Sequence, residues 1–281
     1  MSSFMIKKYH GLGNDYLVID PNKNDVDLQE SHIRKLCKRN FGIGADGILY
    51  GPIEKDGKIH VRCYNPDASE ATNTGTGIRI FAKYLKDEGY AKEDKVTFYT
   101  AGGKAEVEFL NKDATLVRAK IGKADFHASV IPVIGQEREV INEAMYFGGK
   151  PYEVTCLSVG NPHCALLSNE VNYKKVMEIG PSVESSEYFP NRINFMMLHV
   201  IDREHVEIEV YERGAGYTLA SGTSACAAVA VTNRLGLTER RITVSQPGGD
   251  LTVELNEQDE IIMTGSVDSV GMMMLNEAFF A

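Results

Sequence analysis

The stretch Thr74-Gly75-Thr76-Gly77 recurs as Ser221-Gly222-Thr223-Ser224, 147 residues further along a chain of 281 residues. Nine residues before each copy stands a polar side chain that follows a tyrosine, in the pairs Tyr64-Asn65 and Tyr211-Glu212. A repeat of this length indicates two domain-sized units, because solenoid repeats have periods of about 20–50 residues. The sequence therefore predicts two similar domains, one for each half of the chain.

A second matched pair lies further upstream, in Gly13-Asn14 and Gly160-Asn161. Asn14 precedes Asn65 by 51 residues, and Asn161 precedes Glu212 by the same distance. The retained positions are small or polar and lie in turn-like places, where binding and catalytic residues concentrate. Duplication for structural economy alone would match best at core positions. We therefore favour one active site to which both halves contribute.

Each half predicts the same succession of elements. A strand follows the Gly-Asn turn, a helix comes next, a second strand leads to the polar loop, and a longer helix begins after it. The predicted ranges are 16–20, 28–39, 60–64 and 75–88 in the first half, and 164–167, 173–179, 206–211 and 222–235 in the second. Apolar residues lie on nearly all sides of the 222–235 helix, which is typical of a buried helix. Gly89 and Gly236 end the two long helices.

A strand pair follows each long helix, at 96–99 with 105–109 and at 242–245 with 251–255. The chain is thus expected to form an α/β (α+β) fold in which many short strands wrap around one long helix per half. The domain boundary is expected near 124–127, and a last strand near 261–265 could close either half. We assign 1–125 plus about 266–281 to the N-terminal domain and 126–265 to the C-terminal domain.

The composition, with 43% hydrophobic and 25% charged residues, is ordinary for a globular protein. The net charge is −9 and no run of Lys or Arg forms a basic patch, so nucleic acid is not an expected partner. Five cysteines without CxxC spacing favour reduced thiols in the cytoplasm. The N-terminus lacks the apolar core of a signal peptide. No apolar run approaches 18 residues, so no membrane partner is expected.

The two matched loops each stand where a helix begins. A helix N-terminus offers unpaired N–H groups and a partial positive charge, which suit a carboxylate or phosphate. The alternative is that Thr74 and Ser221 are simply N-caps, a position that both residue types favour. Two helices with the same preceding residues favour a ligand, and a small anion could be bound by both.

Other motifs give weaker signals. The segment 42–47 (Gly-Ile-Gly-Ala-Asp-Gly) fits the spacing GxGxxG, but it follows Lys38-Arg39-Asn40 rather than a strand and precedes no helix, so we interpret it as a turn. His163 near Asn161 could be an acid/base group or a core histidine. Neither HExxH nor another metal-ligand spacing is present, and neither is a Walker motif, so no metal is expected.

Six motifs together resemble the diaminopimelate epimerase family over essentially the whole chain. They are His10-Gly11-Leu12-Gly13-Asn14-Asp15-Tyr16, Asn65-Pro66-Asp67-Ala68-Ser69-Glu70-Ala71, Gly160-Asn161-Pro162-His163-Cys164, Phe189-Pro190-Asn191-Arg192-Ile193-Asn194, Tyr211-Glu212-Arg213-Gly214-Ala215-Gly216 and Pro247-Gly248-Gly249. The resemblance implies two α/β domains, each a mostly antiparallel sheet curled around a central helix, with the active site in the cleft between them.

The resemblance also implies an epimerase of lysine biosynthesis that converts LL- to meso-diaminopimelate without pyridoxal phosphate, metal or another cofactor. One group removes the α-proton and another returns a proton on the opposite face. The substrate-binding residues that it implies are Asn14, Asn65, Gly75, Thr76, Asn161, Asn194, Glu212, Arg213, Gly222 and Thr223. Of these, the helix N-termini at Gly75-Thr76 and Gly222-Thr223 would hold the α-carboxylate. A homodimer is expected from the resemblance as well.

The chain departs from the family at both proton carriers, which are cysteines in the family and are Thr74 and Ser221 here. The family's Gly-Glu-Thr is Gly216-Tyr217-Thr218. A thiol has a pKa of about 8.5, which a helix N-terminus lowers further. A hydroxyl ionises far less readily and needs a neighbouring base. His163, Glu212 and Tyr217 are the candidates that the motifs place nearby, with His163 and Tyr217 as auxiliary acid/base groups.

Two other functions stay open from the sequence. Relatives with a hydroxyl in place of one cysteine resemble hydroxyproline dehydratases, so the chain could be a lyase, or a racemase of another amino acid. Alternatively, the protein could bind an amino acid without catalysis, because the cysteine pair is absent.

Overall fold

The computed structural model describes residues 4–25, 27–72 and 74–280. Its four helices are α1 (Glu30–Cys37), α2 (Gly75–Asp87), α3 (Tyr173–Glu184) and α4 (Gly222–Arg234). Strands up to residue 122 are β1 (Phe4–Gly11), β2 (Asn14–Ile19), β3 (Gly47–Lys55), β4 (Lys58–Tyr64), β5 (Glu70–Ala71), β6 (Lys95–Thr100), β7 (Gly103–Phe109) and β8 (Leu116–Gly122). The later strands are β9 (Glu143–Phe147), β10 (Lys150–Ser158), β11 (Pro162–Leu167), β12 (Asn194–Asp202), β13 (His205–Glu212), β14 (Gly216–Thr218), β15 (Arg241–Gln246), β16 (Gly249–Leu255), β17 (Ile261–Ser266) and β18 (Asp268–Leu275). No helix in these three ranges is long and apolar enough to cross a membrane.

The chain divides into two compact units, one of residues up to 119 together with those from 265 onward, and one of residues 120–264. In the first unit, β2 pairs in parallel with β3, β3 antiparallel with β4, β4 in parallel with β6, and β6 antiparallel with β7. In the second unit, β11, β12, β13, β15 and β16 pair in the same order and the same directions. The repeat in the sequence is therefore a repeat of strand pairing, and the prediction of a mixed α/β fold built mainly of strands is confirmed.

One long helix lies against the strands of each unit. Helix α2 contacts β1, β2, β3 and β7, and α4 contacts β10, β11, β12, β13, β15 and β16. All residues from Gly75 to Leu85 and from Gly222 to Thr232 are buried. The alanine and valine side chains of α4 are small, so strands can approach the helix from several sides. Its apolar circumference predicted this burial from the sequence.

Strands β1 and β18, which complete the first unit, are among the strands that were not predicted from the sequence. Strand β1 pairs with β2 on one side and with β18 on the other. Strand β18 contains Gly271 and three methionines, and the exposed Val270 is its one β-branched residue, so it carries a weak strand signal. Its pairing with β1 is a long-range contact, which local propensity cannot reveal.

The segment 42–47 is a turn, as predicted, and it covers the C-terminal end of α1. The amide of Gly42 donates to Lys38 O at 2.7 Å, that of Gly44 to Leu36 O at 2.9 Å, and that of Ala45 to Cys37 O at 3.2 Å. Carbonyls at a helix C-terminus lack partners within the helix, and here the returning loop supplies them. The loop that carries these glycines thus provides hydrogen-bond donors for the carbonyl groups at the end of α1.

Candidate active site

Thr74 is the N-cap of α2, with φ −146° and ψ 120°. Its Oγ1 accepts a hydrogen bond from the amide of Gly77 at 3.2 Å. The phenol oxygen of Tyr16 lies 3.1 Å from the same Oγ1. The hydroxyl is therefore both the helix cap and one member of a hydroxyl–phenol pair. Thr76, in the first turn of the helix, is almost fully buried, and its Oγ1 has no hydrogen-bond partner among the described residues.

Gly77 leaves space for the methyl group of Thr74. A Cβ added at Gly77 would lie 2.4 Å from Thr74 Cγ2 and 3.1 Å from Leu49 Cδ2. The threonine cannot turn away without giving up its capping bond to the amide of Gly77. Glycine at position 77 therefore makes room for a threonine at the N-cap.

We predict that Gly77→Ala lowers the free energy of unfolding by about 1–3 kcal/mol through overpacking. The cost should shrink in a Thr74→Ser background, because serine keeps the cap and lacks the methyl group. Urea unfolding of the parent, both single variants and the double variant measures how far the cost of Gly77→Ala depends on the residue at position 74. An equal cost of Gly77→Ala in both backgrounds would show that the methyl contact is not the cause.

Asn14 is the first residue of β2 and is buried within a charged network. Its Nδ2 donates to Asp46 Oδ2 at 2.9 Å. Arg39 contacts Asp15 at 2.8 and 3.2 Å and Asp46 at 2.7 Å, and Lys8 lies 2.7 Å from Asp15. Burial tends to raise the pKa of Asp15, but Arg39 and Lys8 together lower it. Burial and the Asp15 carboxylate raise the pKa of Asp46. This network fixes the Asn14 amide with its oxygen directed away from Asp46.

Asn65 follows β4 and belongs to a short turn in the first unit. Its backbone N–H donates to Ser69 O at 2.9 Å, and its side-chain Nδ2 donates to Ser69 Oγ at 3.0 Å. Ala68 in the same turn has φ 71°. Because the turn uses the donor side of the amide, the Oδ1 of Asn65 can accept from another donor, as a substrate-binding amide requires.

Ser221 is the N-cap of α4 and repeats the position of Thr74 in the second unit. Its Oγ accepts from the amide of Ser224 at 3.4 Å and donates to Glu212 Oε2 at 2.8 Å. The other carboxylate oxygen of Glu212 accepts from Thr218 Oγ1 at 2.7 Å. The Ser221 amide donates to Gln246 Oε1 at 2.7 Å. The N-cap role, which was the alternative for these residues in the sequence, is thus present at both helices, and at α4 a carboxylate lies against the capping hydroxyl.

His163, which the sequence suggested as an auxiliary acid/base group, is fully buried beside Asn161. The Asn161 Nδ2 donates to Thr223 Oγ1 at 3.2 Å, so its Oδ1 can accept from His163 Nε2 at 2.9 Å. His163 Nδ1 then accepts from Ser224 Oγ at 3.4 Å. Burial, with a smaller effect of Arg213, lowers the pKa of His163 to about 3. The imidazole is neutral near pH 7 and contacts Ser224 rather than Ser221.

Because the pKa of His163 is lower in the folded protein than in the unfolded chain, the unfolded chain binds more protons between pH 6.5 and about 3. We predict that His163 contributes a loss of stability across this window as the pH falls. His163→Asn should flatten that part of the curve of unfolding free energy against pH. Urea titrations of both proteins from about pH 7 to about pH 4 test this, and parallel curves would contradict it.

Three further predicted residues of the second unit, Asn194, Arg213 and Tyr217, form hydrogen bonds with other residues of that unit. Asn194 Nδ2 donates to Pro162 O at 2.8 Å, and its Oδ1 accepts from the Arg213 amide at 3.0 Å. Arg213 Nη1 donates to Asn191 O at 3.1 Å. Tyr217 donates to Glu209 Oε2 at 2.7 Å, and burial together with Glu209 raises its pKa. Tyr217 therefore lies at Glu209 and not at Ser221.

Four residues that contact the predicted ones were not predicted from the sequence: Tyr16, Asp46, Thr218 and Gln246. Tyr16 and Thr218 lie inside segments that correspond to family motifs, and Gln246 directly precedes Pro247. Asp46 lies in the GxGxxG spacing. The motifs marked the right segments, but which side chain meets which hydroxyl depends on contacts between separate strands.

Comparison with known proteins identifies the family of this chain. A family model described as diaminopimelate epimerase matches residues 6–127 and 155–270. "Diaminopimelate epimerase 2" of a Nostoc species is 43% identical over 276 residues, covering 98% of this chain and 96% of its own. The diaminopimelate epimerase of Pelotomaculum thermopropionicum is 37% identical over 94% of this chain and 95% of its own.

Two solved structures share the fold at low sequence identity. A hydroxyproline epimerase from Agrobacterium vitis, with bound trans-4-hydroxy-L-proline, superposes with a TM-score of 0.70 at 12% identity, over 98% of this chain and 91% of its own. A phenazine biosynthesis protein of the PhzF family from Bacillus anthracis gives a TM-score of 0.64 at 14% identity, over 98% of this chain and all of its own. The matched family model and the full-length relatives establish that the chain belongs to the diaminopimelate epimerase family.

Proposed function

We propose that the protein is a pyridoxal-phosphate-independent epimerase that converts LL- to meso-diaminopimelate, a step of lysine biosynthesis. The observation that carries the proposal is the pair of capping hydroxyls, Thr74 on α2 and Ser221 on α4, at equivalent positions of two units with the same strand pairing. Relatives that carry this enzyme name along nearly their whole length support the substrate.

The helix N-termini supply the electrostatic part of the reaction. Unpaired N–H groups at Gly75-Thr76 and Gly222-Thr223 would bind the α-carboxylate, since a helix N-terminus favours an anion. The same groups stabilise the negative charge that moves onto the carboxylate when the α-proton leaves. Thr76 Oγ1, which is buried without a partner among the described residues, gains one if a carboxylate oxygen lies at this N-terminus.

The remaining predicted residues would hold the polar ends of the substrate. Asn14 and Asn65 each keep an amide oxygen that can accept from an ammonium group, because their Nδ2 atoms are bonded to Asp46 and Ser69. Arg213 offers a guanidinium for a carboxylate. Thr74 and Ser221 are the proposed proton carriers for the two faces of the α-carbon. We place the reaction in the cytoplasm, which the five cysteines, all present as thiols, support.

The test is incubation of LL-diaminopimelate with the protein in deuterated water, followed by proton NMR of the α-position. We expect loss of the α-proton signal together with formation of the meso isomer. Thr74→Val and Ser221→Ala, which remove the hydroxyls and keep the size nearly constant, serve as controls and should lose the reaction. Absence of exchange at protein concentrations comparable with the substrate would refute the proposal.

A further inference from the structure

The phenol of Tyr16 lies against the hydroxyl that caps α2. Tyr16, on β2, is only 6% exposed, and its phenol oxygen lies 3.1 Å from Thr74 Oγ1. The same Oγ1 accepts from the Gly77 amide at 3.2 Å. A phenol that donates to Thr74 Oγ1 leaves the threonine's own proton available to a group bound at the start of the helix. Tyr16 thus places a second hydroxyl proton directly behind the first.

The ring of Tyr16 is held in place by Gly47, the last glycine of the segment 42–47. The two residues pair across the parallel strands β2 and β3. A Cβ added at Gly47 would lie 2.5 Å from Tyr16 Cε1 and 2.8 Å from Tyr64 O. Glycine inside a strand often marks such a close approach. The ring therefore occupies the space that a side chain at position 47 would need, and this packing fixes the phenol next to Thr74.

The internal repeat places a histidine at the position of Tyr16 in the second unit. Tyr16 precedes His163 by 147 residues, the period of the repeat. Tyr16 pairs with Gly47 across β2 and β3. His163 pairs with Asn194, 147 residues after Gly47, across β11 and β12, so the register repeats as well. The same place in both units thus carries a side chain that transfers protons in other enzymes.

The two side chains have different partners because of the residue three positions after the cap. In the second unit this residue is Ser224, whose Oγ lies 3.4 Å from His163 Nδ1. In the first unit it is Gly77, which has no hydroxyl to offer. Tyr16 therefore contacts the capping hydroxyl of Thr74 itself.

The other group that contacts the cap in the second unit also has a different counterpart in the first. The carboxylate of Glu212 lies 2.8 Å from Ser221 Oγ. Asn65, at the equivalent position, is an amide that bonds within its own turn. Among the described residues, the partners of the Thr74 hydroxyl are a backbone amide and the phenol of Tyr16. The phenol is the titratable one of these two.

We propose that Tyr16 is the proton donor behind Thr74 in the proton transfer that Thr74 carries out; this rests on the epimerase function proposed above. The electron pair on the α-carbon forms a new C–H bond with the hydroxyl proton of Thr74. In the same step the phenol proton of Tyr16 moves to Thr74 Oγ1, so no threonine alkoxide forms and Tyr16 becomes a phenolate. Transfer of both protons in the reverse direction removes the α-proton. After a net donation, water returns a proton to the phenolate.

The phenol supplies acidity that threonine lacks. An aliphatic hydroxyl ionises far less readily than a thiol and needs a partner. A phenol has an ordinary pKa of about 10, so it is protonated at neutral pH and is still the more acidic of the two hydroxyls. The Thr74–Tyr16 pair is therefore ready to donate a proton before it accepts one.

The test compares Tyr16→Phe in two backgrounds, the natural Thr74 and Thr74→Cys. In the natural background we expect kcat of epimerisation to fall by about 10²–10⁴, the usual contribution of acid–base catalysis. In the cysteine background we expect a fall of less than about tenfold, because a thiol at a helix N-terminus ionises without a phenol beside it. KM should change little in either background. Tyr50→Phe, on the neighbouring strand β3, is the matched control and should leave the rate unchanged.

An unchanged kcat in Tyr16→Phe would overturn the inference, and equal losses in the two backgrounds would overturn it in favour of a structural role. A large rise of KM with kcat retained would instead assign the phenol to substrate binding and overturn it as well. Circular dichroism and thermal melting monitor folding, and Tyr16→Met, which also removes the phenol, provides the same contrast if Tyr16→Phe does not fold. Failure of the epimerase proposal has a different signature, because neither the parent nor Thr74→Cys would then convert diaminopimelate.

Discussion

Replacing Thr74 and Ser221 together by cysteine should raise the rate of α-proton exchange on diaminopimelate by about 10²-fold or more, within the usual range for acid–base catalysis. Both residues are N-caps of buried helices, so each thiol would lie at the positive end of a helix. That environment lowers the pKa of a thiol to about 7 or below, and a large fraction is then thiolate at neutral pH. A hydroxyl at the same position gains no comparable ionised fraction.

The geometry favours acceptance of both substitutions. Cysteine at position 74 lacks the methyl group that lies against Gly77, so it relieves the closest contact at the start of α2. At position 221 the sulfur replaces an oxygen whose neighbours are the Ser224 amide and Glu212. The loss of capping strength should cost about 1 kcal/mol of stability at each helix.

The measurement is loss of the α-proton signal by NMR in deuterated water, with each single variant alongside. Ser185→Cys is the matched control, because Ser185 is the C-cap of α3 and a thiol there meets the negative end of a helix. It should leave the exchange rate unchanged. A folded double variant that binds diaminopimelate but does not exchange would show that thiol chemistry is not what the site lacks. Exchange only in the double variant would instead identify the natural protein as a binder and refute its epimerase activity.

Gly42→Ala should lower the free energy of unfolding by about 3 kcal/mol or more, at the upper end of the cost of overpacking. A Cβ at this position would lie 1.9 Å from Lys35 O and 2.7 Å from Leu36 O. Both atoms are backbone atoms in the last turn of α1, so no side-chain rotation relieves the contact. Relief would require the loop to lift from the helix end, which breaks the amide contacts of Gly42, Gly44 and Ala45.

Gly57→Ala provides the comparison, because a Cβ added at Gly57 would meet nothing within 4 Å and the residue has φ 66°. Only the strain of a left-handed residue applies there, about 1–2 kcal/mol. Urea unfolding of the two variants should therefore separate them clearly. Similar costs would mean that the loop can move away from α1 without penalty. A large effect of Gly42→Ala confirms that the GxGxxG spacing serves close packing of backbone.

Much of the fold was predictable from local pattern. The two buried helices were expected within two residues of their observed ends, since apolar periodicity and glycine stops are properties of contiguous sequence. The repeat predicted that both halves share one arrangement, and the strand pairing confirms it. Strands β1 and β18 were not predicted, because they pair with each other across almost the whole length of the chain and local patterns do not reveal such a pairing.

For the candidate site too, some features follow from the sequence and others only from the tertiary structure. The sequence alone determined which loops carry polar residues, the family to which the chain belongs, and the fact that hydroxyls stand at positions 74 and 221, because identity and spacing are written in the chain. Only the tertiary structure decided that Glu212, rather than His163 or Tyr217, lies against Ser221, and that Tyr16 lies against Thr74. Proton transfer depends on contacts of about 3 Å, and such contacts arise only when separate strands and a helix end are brought together.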